Sequence, residues 1–225
     1  MSKENKFETN AIHVGNSPDP STGSISPPIH LTSTYVQDGI GKNKGFDYSR
    51  GTNPTRERLE KNIASLEGGY DAIAFSSGMA ATTALLQHLK QGDHVIISRN
   101  VYGGTYRMTT QVLSNHGLKF DFVDTTDTQN IKETIKPETK WVFIETPTNP
   151  MLEVTDIAAV SKICKESNIK FAVDNTFMSP FGQRPIEHGA DCVMHSTTKF
   201  IGGHSDVLGG VLVAKDKELA DKLHF

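Results

Sequence analysis

A lysine in a loop of small hydroxylic residues is the first feature of this sequence that could do chemistry. Lys199 stands in the segment HSTTKFIGGH, directly after the apolar run 192–194. A lysine amine whose pKa is lowered by its surroundings attacks aldehydes, and the hydroxyl groups of Ser196 and Thr198 could bind phosphate oxygens. A solvated surface lysine is the alternative interpretation of this segment.

The histidines at the two ends of this segment, His195 and His204, could suggest a metal site. No cluster of carboxylates accompanies them, and Cys164 and Cys192 do not form the close pair that a zinc site or a redox motif requires. We therefore predict that the protein has no metal site. The cysteines stand among apolar residues, and we interpret them as small buried side chains.

An acid and a glycine-containing turn also follow apolar runs. Asp174 stands in the segment AVDNT, where an acid could bind a metal, a sugar hydroxyl or a cationic ring nitrogen, or could cap a turn. The segment SSGMA, residues 76–80, joins a predicted strand to a predicted helix. Free backbone N–H groups at the start of a helix favour a phosphate, although an ordinary capped turn has the same kind of sequence.

These residues together are the parts that a pyridoxal phosphate site requires. Such a site needs a lysine to form an imine, an acid for the ring nitrogen and several contacts to the phosphate. Tyr102 follows another predicted strand and could stack on the ring. Tyr48 and Arg50, which are close neighbours in YSRGTNPT, could grip phosphate oxygens. One further helix and strand separate Asp174 from Lys199, so both residues would lie at the same edge of the sheet.

The elements that must position these residues begin at about residue 54. Asn53, Pro54 and Thr55 signal the start of a helix, and short apolar runs then alternate with helical patterns. This alternation predicts an α/β domain with a mainly parallel sheet flanked by helices, which binds ligands beyond the carboxyl ends of its strands. The predicted strands are 72–75, 95–97, 120–123, 141–144, 171–173, 192–194 and 211–213, and the helical segments include 79–90, 103–116, 156–167 and 215–225.

The segment before these elements has a different composition. It is rich in Ser, Thr, Pro, Gly and Asn and has little periodicity, which is typical of an extended arm with turns. We predict an N-terminal arm over 1–53 that contacts another subunit, and a large domain over 54–225. The sequence stops within a helical pattern, so we expect this domain to be incomplete and a C-terminal part to be absent from this chain.

The bulk composition excludes several classes of partner. The 225 residues carry a formal charge of −3, which gives no long-range attraction to nucleic acid or to an anionic membrane. No apolar run is long enough to span a membrane, and the polar N-terminus lacks the apolar stretch of a signal peptide. We expect a cytoplasmic protein that binds neither nucleic acid nor membrane.

Six motifs, in order along the chain, resemble the Cys/Met-metabolism family of pyridoxal-phosphate enzymes. They are YSRGTNPT, SSGMAA, VYGGTYR, ETPTNP, VDNTFMSP and HSTTKFIGGHSDVLGG. The resemblance runs over essentially the whole chain. It implies the large domain of the fold-type-I pyridoxal-phosphate enzymes, assembled as a homotetramer that is built from active dimers.

The resemblance also implies roles for individual residues. Lys199 would hold the cofactor covalently, Asp174 would pair with its ring nitrogen, and Tyr102 would stack on the ring. Asn149 would lie near the substrate carboxylate. The phosphate and the rest of the cofactor would be bound by Ser77, Gly78, Met79, Thr176, Ser196 and Thr198, and by Tyr48 and Arg50 of a neighbouring subunit.

The activity implied by the resemblance is transsulfuration of sulfur amino acids. We expect a cystathionine gamma-lyase, which converts cystathionine to cysteine, 2-oxobutanoate and ammonia. Cystathionine gamma-synthase or O-acyl-homoserine sulfhydrylase, which carry out gamma-replacement, are the alternatives. In the family, an arginine of the C-terminal domain binds the substrate carboxylate. Because that domain is not in this chain, an inactive truncated fragment or an interaction module is an alternative of another class.

Overall fold

The computed structural model describes residues 6–225, so residues 1–5 of the predicted arm lie outside the described part of the chain. The chain divides into two compact units, one that ends at Leu66 and one that spans Glu67–Phe225. Within residues 6–225, none of the helices combines the length and the apolar composition needed to cross a bilayer.

The first unit contains helix α1 (Phe7–His13), a long segment with almost no regular structure, and most of helix α2 (Pro54–Glu67). The sequence predicted an extended arm, and α1 was not predicted. Helix α2 begins where the sequence indicated, because the Asn53 side chain accepts a hydrogen bond from the N–H of Thr55 at 2.9 Å and Pro54 occupies the first turn.

Side chains of α2 hold the beginning of the arm through its backbone carbonyl groups. Asn62 donates hydrogen bonds to the carbonyl oxygens of Asn10 and Val14 at 3.1 and 2.9 Å, and Arg58 donates to that of Gly15 at 3.1 Å. Gly15 has a φ of +78°, and a Cβ there would overlap the Arg58 carbonyl group. These bonds supply partners for a backbone that forms no sheet.

The second unit is built on one seven-stranded sheet. Its strands are β1 (Asp71–Phe75), β2 (His94–Ser98), β3 (Lys119–Val123), β4 (Thr139–Glu145), β5 (Lys170–Asp174), β6 (Cys192–His195) and β7 (Gly210–Ala214). Their order in the sheet is β1-β7-β6-β5-β4-β2-β3. Strands β2 to β6 are parallel, and β7 pairs antiparallel with both β1 and β6.

Helices cover both faces of this sheet, and the alternation of residues along the strands sorts the core. In β4, Trp141 and Phe143 pack in one apolar cluster, whereas Val142 and Ile144 pack in the other. The helices of this unit are α3 (Gly78–Gln87), α4 (Gly103–Gln111), α5 (Thr128–Thr134), α6 (Ile157–Glu166), α7 (Ser179–Gly182) and α8 (Lys217–His224), with a 3₁₀ helix at Leu113–His116. The first cluster includes residues of α3, α4 and α8, and the second includes residues of α5 and α6.

The predicted fold class is confirmed. All seven predicted strands are present, each extended by one to three residues in the structure. The predicted helical segments contain α4, α6 and α8, and α3 begins one residue before its predicted segment. Helices α5 and α7 were not predicted, because neither is longer than seven residues and so neither shows a full apolar period. Cys164 and Cys192 are buried free thiols, one in each apolar cluster, as interpreted from the sequence.

Candidate active site

The second unit has a cavity of about 830 Å³ that is lined by the segments following its parallel strands. These segments follow β2, β4, β5 and β6, and the start of α3 completes the lining. The chain therefore brings together residues that are widely separated in sequence. Ten of the predicted site residues line the cavity: Ser77, Gly78, Met79, Tyr102, Asn149, Asp174, Thr176, Ser196, Thr198 and Lys199.

The start of α3 forms one end of this cavity. Ser77 caps the helix, because its side chain accepts a hydrogen bond from the N–H of Ala80 at 3.1 Å. The N–H groups of Gly78 and Met79 precede the first intrahelical bond, so helix geometry gives them no carbonyl partner. A Cβ on Gly78 would lie 2.7 Å from the Cβ of Ser196, so only a glycine lets the lysine loop lie this close. This end of the cavity fits a phosphate.

The loop that carries Lys199 is held by two threonine hydroxyl groups. Thr176 accepts a hydrogen bond from the N–H of Ser196 at 2.9 Å. Thr198 accepts from the N–H of Gly209 at 3.1 Å and donates to its carbonyl oxygen at 3.2 Å. Thr198, which was predicted to bind phosphate, thus uses its hydroxyl proton to tie the loop to the residue before β7. The exposed side chain of Lys199 lines the cavity.

Asp174 is the last residue of β5 and is 5% exposed. Burial raises the pKa of this carboxyl group, while hydrogen bonds from Thr176 and the charge of His195 act in the opposite direction. The N–H of Thr176 donates to the Asp174 carboxylate at 3.0 Å. A cation placed against Asp174 would offset the cost of burying its charge, so the residue fits a cationic ring nitrogen.

Glu145 is a site residue for which the sequence analysis predicted no role. It ends β4, pairs in register with Asp174, and lines the same cavity. Its carboxylate accepts hydrogen bonds from the N–H groups of Tyr102 at 2.7 Å and Asn149 at 2.9 Å, so it fixes two segments that carry predicted site residues. Burial and the charge of Asp174 raise the pKa of Glu145 to about 7. The sequence signal that could have indicated Glu145 is the one used for Asp174, an acid at the carboxyl end of a buried apolar run.

The ring of Tyr102 occupies space that Gly104 leaves free. A Cβ on Gly104 would overlap this ring and would lie 2.8 Å from the sulfur of Met79. The Tyr102 side chain is half exposed, which leaves surface for a stacked ring. Gly104 is a second residue whose role the sequence did not indicate, because the need for a glycine depends on where the Tyr102 ring and Met79 lie in the folded chain.

Tyr48 and Arg50 lie in the first unit, where they contact each other. The guanidinium carbon of Arg50 lies 5.0 Å from the centroid of the Tyr48 ring, which is a cation–π geometry. The structure therefore places these two predicted phosphate contacts side by side within the arm.

Comparison with known protein families matches residues 8–225 to the family described as Cys/Met metabolism PLP-dependent enzyme. The chain belongs to this family. The resemblance inferred from the six motifs is thereby confirmed, and the cofactor of the family is pyridoxal phosphate.

Relatives in this family carry different reaction names. The chain is 50% identical over 219 residues to a probable cystathionine gamma-synthase of Herpetosiphon aurantiacus, which covers 97% of the chain and 69% of that relative. It is 48% identical over 220 residues to the cystathionine gamma-lyase of Bacillus subtilis (strain 168), which covers 98% of the chain and 58% of that relative.

A solved structure shares the fold. The crystal structure of cystathionine gamma-lyase from Lactobacillus plantarum complexed with L-serine superposes with a TM-score of 0.95 at 45% identity, over 98% of this chain and 57% of that one. The chain thus spans less than two thirds of the length of both lyases.

The residues of the cavity fit the cofactor of the family. The start of α3 and Ser196 fit its phosphate, and the buried acid Asp174 fits its ring nitrogen. Lys199 supplies an amine for its aldehyde, and all of these residues line one cavity.

We predict that Glu145 makes the stability of the cofactor-free protein fall as the pH rises. Between pH 4.5 and about 7 the unfolded state ionises this group while the folded state keeps it protonated, so the free energy of unfolding decreases over this window. The stability difference between wild type and Glu145→Gln should decline by about 3 kcal/mol from pH 4.5 to 7, as measured by urea denaturation.

The matched control for this titration is Glu218→Gln, at an exposed residue whose pKa is lowered by Lys222. Its stability difference from wild type should not decline over the same window. Because Glu145 and Asp174 interact, the decline of the stability difference for Glu145→Gln reports the titration of both carboxyl groups together. A Glu145→Gln difference that stays constant with pH would contradict the raised pKa.

Proposed function

We propose that this protein is a pyridoxal-phosphate enzyme of transsulfuration that acts on sulfur amino acids, and that its reaction is the gamma-elimination of cystathionine. The observation that carries the proposal is the convergence of Lys199, Asp174 and the start of α3 on one cavity. The gamma-lyases of Bacillus subtilis and Lactobacillus plantarum, which are 48% and 45% identical to this chain, support the choice of reaction.

We assign the cofactor contacts by the part of the cofactor that each would hold. Lys199 would bond the aldehyde carbon, Asp174 would pair with the ring nitrogen, and Tyr102 would cover one face of the ring. The phosphate would lie against the start of α3, bound by the N–H groups of Gly78 and Met79 and by Ser77 and Ser196. Thr198, whose hydroxyl proton is donated to Gly209, would contribute its backbone N–H. Thr176 would hold the lysine loop, and Asn149 would orient the substrate carboxylate.

The proposed chemistry assigns proton transfers to Lys199. Bound pyridoxal phosphate supplies an electron sink for the charge that develops at Cα of the substrate. The amine of Lys199 would remove the proton at Cα and would then move a proton at Cβ. The bond between Cγ and sulfur would break, and the sulfur would leave with a proton as cysteine. Asp174 would hold the ring nitrogen during these steps. The remaining four-carbon fragment would take up water and leave as 2-oxobutanoate and ammonia.

Gamma-replacement is the second candidate. The relative from Herpetosiphon aurantiacus, which is 50% identical over 97% of this chain, is named a probable cystathionine gamma-synthase. In this case the same proton transfers by Lys199 would act on an O-acyl-homoserine. A thiol would add at Cγ in place of the acyloxy group, which would leave as a carboxylate.

We further propose that residues 1–53 form an arm that completes the site of a neighbouring subunit in a cytoplasmic homotetramer built from active dimers, and that 54–225 belong to the cofactor-binding domain. Apolar side chains of the arm support this proposal: Leu31, Val36 and Ile40 are at least 88% exposed. Surface of this kind is typical of a segment that packs on another chain. Tyr48 and Arg50 would reach the phosphate in the neighbouring subunit.

We predict that Lys199→Ala lowers the turnover of cystathionine by about 100- to 10,000-fold, because it removes the general base. Borohydride reduction of wild type with pyridoxal phosphate should fix the cofactor to the peptide that contains Lys199, as shown by peptide mass mapping. Lys162→Ala, at an exposed lysine of α6, is the matched control and should keep both the adduct and the turnover. Normal turnover in Lys199→Ala would refute the assignment.

The two candidate reactions predict different products from wild-type protein. A gamma-lyase should form 2-oxobutanoate from cystathionine faster than it forms cystathionine from O-acyl-homoserine and cysteine, and a gamma-synthase should show the reverse order. Mass spectrometry of both reaction mixtures compares the two rates directly. We expect the faster formation of 2-oxobutanoate from cystathionine. The reverse order would favour gamma-replacement as the reaction of this protein.

We predict that two inactive variants complement each other if the arm completes a neighbouring site. Arg50→Ala and Lys199→Ala should each be impaired alone, whereas subunits mixed after mild dissociation should regain part of the activity, because one site of a mixed dimer keeps both residues. No gain of activity, in mixtures shown by native mass spectrometry to contain mixed dimers, would place Arg50 outside a shared site.

A further inference from the structure

A buried acid and a buried histidine form a pair in the second unit that the proposed mechanism does not use. Glu67, at the end of α2, and His195, at the end of β6, are both 0% exposed. The Nε2 atom of His195 lies 2.5 Å from the Oε1 atom of Glu67. Neither residue is among those that line the cavity.

This pair is connected to the ends of three neighbouring strands. Asn175, which follows Asp174, donates its side-chain N–H to Glu67 Oε1 at 2.8 Å. The side chain of Gln183 donates to the Asn175 side chain at 2.9 Å and to the carbonyl oxygen of Thr146, the residue after β4, at 3.1 Å. His195 itself directly precedes Ser196 in the lysine loop. Glu67 thus sits at the centre of a network that ties together the ends of β4, β5 and β6.

Two buried polar atoms of this network lack a hydrogen-bond partner. Within residues 6–225, these are Glu67 Oε2 and His195 Nδ1. A partly satisfied buried network is less favourable for folding than apolar residues of the same volume. Such a network is retained more often where its charges serve the site beside it.

Ionisable side chains lie in a row between Glu67 and the cavity. Burial raises the pKa of Asp174, while hydrogen bonds from Thr176 and the charge of His195 act in the opposite direction. The buried contact with Glu67 holds the His195 ring in the place from which it acts on Asp174. The Glu67–His195 pair therefore adds to the support that Asp174 receives from Thr176.

We propose that Glu67 and His195 are positioning residues for the cofactor ring, which act by holding the ends of β5 and β6 so that Asp174 stays directed at the ring nitrogen. This inference rests on the proposed function, because it concerns how Asp174 meets the cofactor. The pair acts through Asp174 and the strand ends, and it takes no part in proton transfer to the substrate.

The test compares the affinities of two ligands, measured by equilibrium dialysis with purified full-chain protein. One ligand is pyridoxal phosphate, and the other is its analogue with a C–H group in place of the ring nitrogen. Both have the same aldehyde and phosphate, so the ratio of their affinities reports the contact between Asp174 and the ring nitrogen. We expect wild type to prefer pyridoxal phosphate, and Glu67→Gln to reduce this preference about tenfold, the effect of one pKa unit.

Two comparisons separate this role from a merely structural one. Glu57→Gln, which removes an acid of the same helix from an exposed ion pair with Lys61, should leave the preference unchanged. In an Asp174→Asn background the preference should be lost, and Glu67→Gln should then have no further effect, because the pair acts through Asp174. His195→Gln, measured in parallel, should reproduce the effect of Glu67→Gln and decides the question if Glu67→Gln does not fold.

The outcomes also distinguish this inference from the proposed function. If the folded variants bind both ligands more weakly but keep the wild-type preference, the pair is structural and the inference is overturned, while a borohydride adduct on Lys199 would leave the proposed function standing. If wild type forms no adduct on Lys199, the proposed function fails and this inference fails with it.

Discussion

The register of the parallel strands β4, β5 and β6 is the constraint on which the rest of the site depends. Hydrogen bonding pairs Glu145 with Asp174 and Asp174 with Met194, so the three strands end in one row. The segments that follow them carry Asn149, Thr176 and Lys199 into the same cavity. A slip of one residue in β4 or β5 would turn the strand over and place its last residue, Glu145 or Asp174, among the apolar residues of the opposite face.

This row places the acids Glu145 and Asp174 side by side in a buried position, where both accept hydrogen bonds from backbone N–H groups. Glu145 accepts two backbone N–H groups, which fix the segments of Tyr102 and Asn149, while Asp174 accepts one from Thr176. Burial raises the pKa of both carboxyl groups, so both would be stabilised as anions by a cation in the cavity. The dependence of the family on a cofactor whose ring nitrogen becomes cationic agrees with this electrostatic situation.

Relatives that carry different reaction names are about equally similar to this chain. The relative named a probable cystathionine gamma-synthase is 50% identical and the one named cystathionine gamma-lyase is 48% identical. Under the proposed function, both reactions would use the same proton transfers by Lys199 at Cα and Cβ. The residues around Lys199 and Asp174 would serve those common steps.

The sequence by itself determined the strands, the longer helices and the family, because apolar periodicity and the order of six motifs are local properties. It also indicated Lys199 and Asp174, since a reactive side chain after an apolar run marks the carboxyl edge of a parallel sheet. Only the tertiary structure showed the roles of Glu145, Gly104 and the Glu67–His195 pair. Each of them has at least one partner that is distant in the chain, up to 128 residues for Glu67 and His195, so no local pattern could predict these contacts. A hydrogen bond across a fold is decided by strand register and packing, which exist only once the chain has folded.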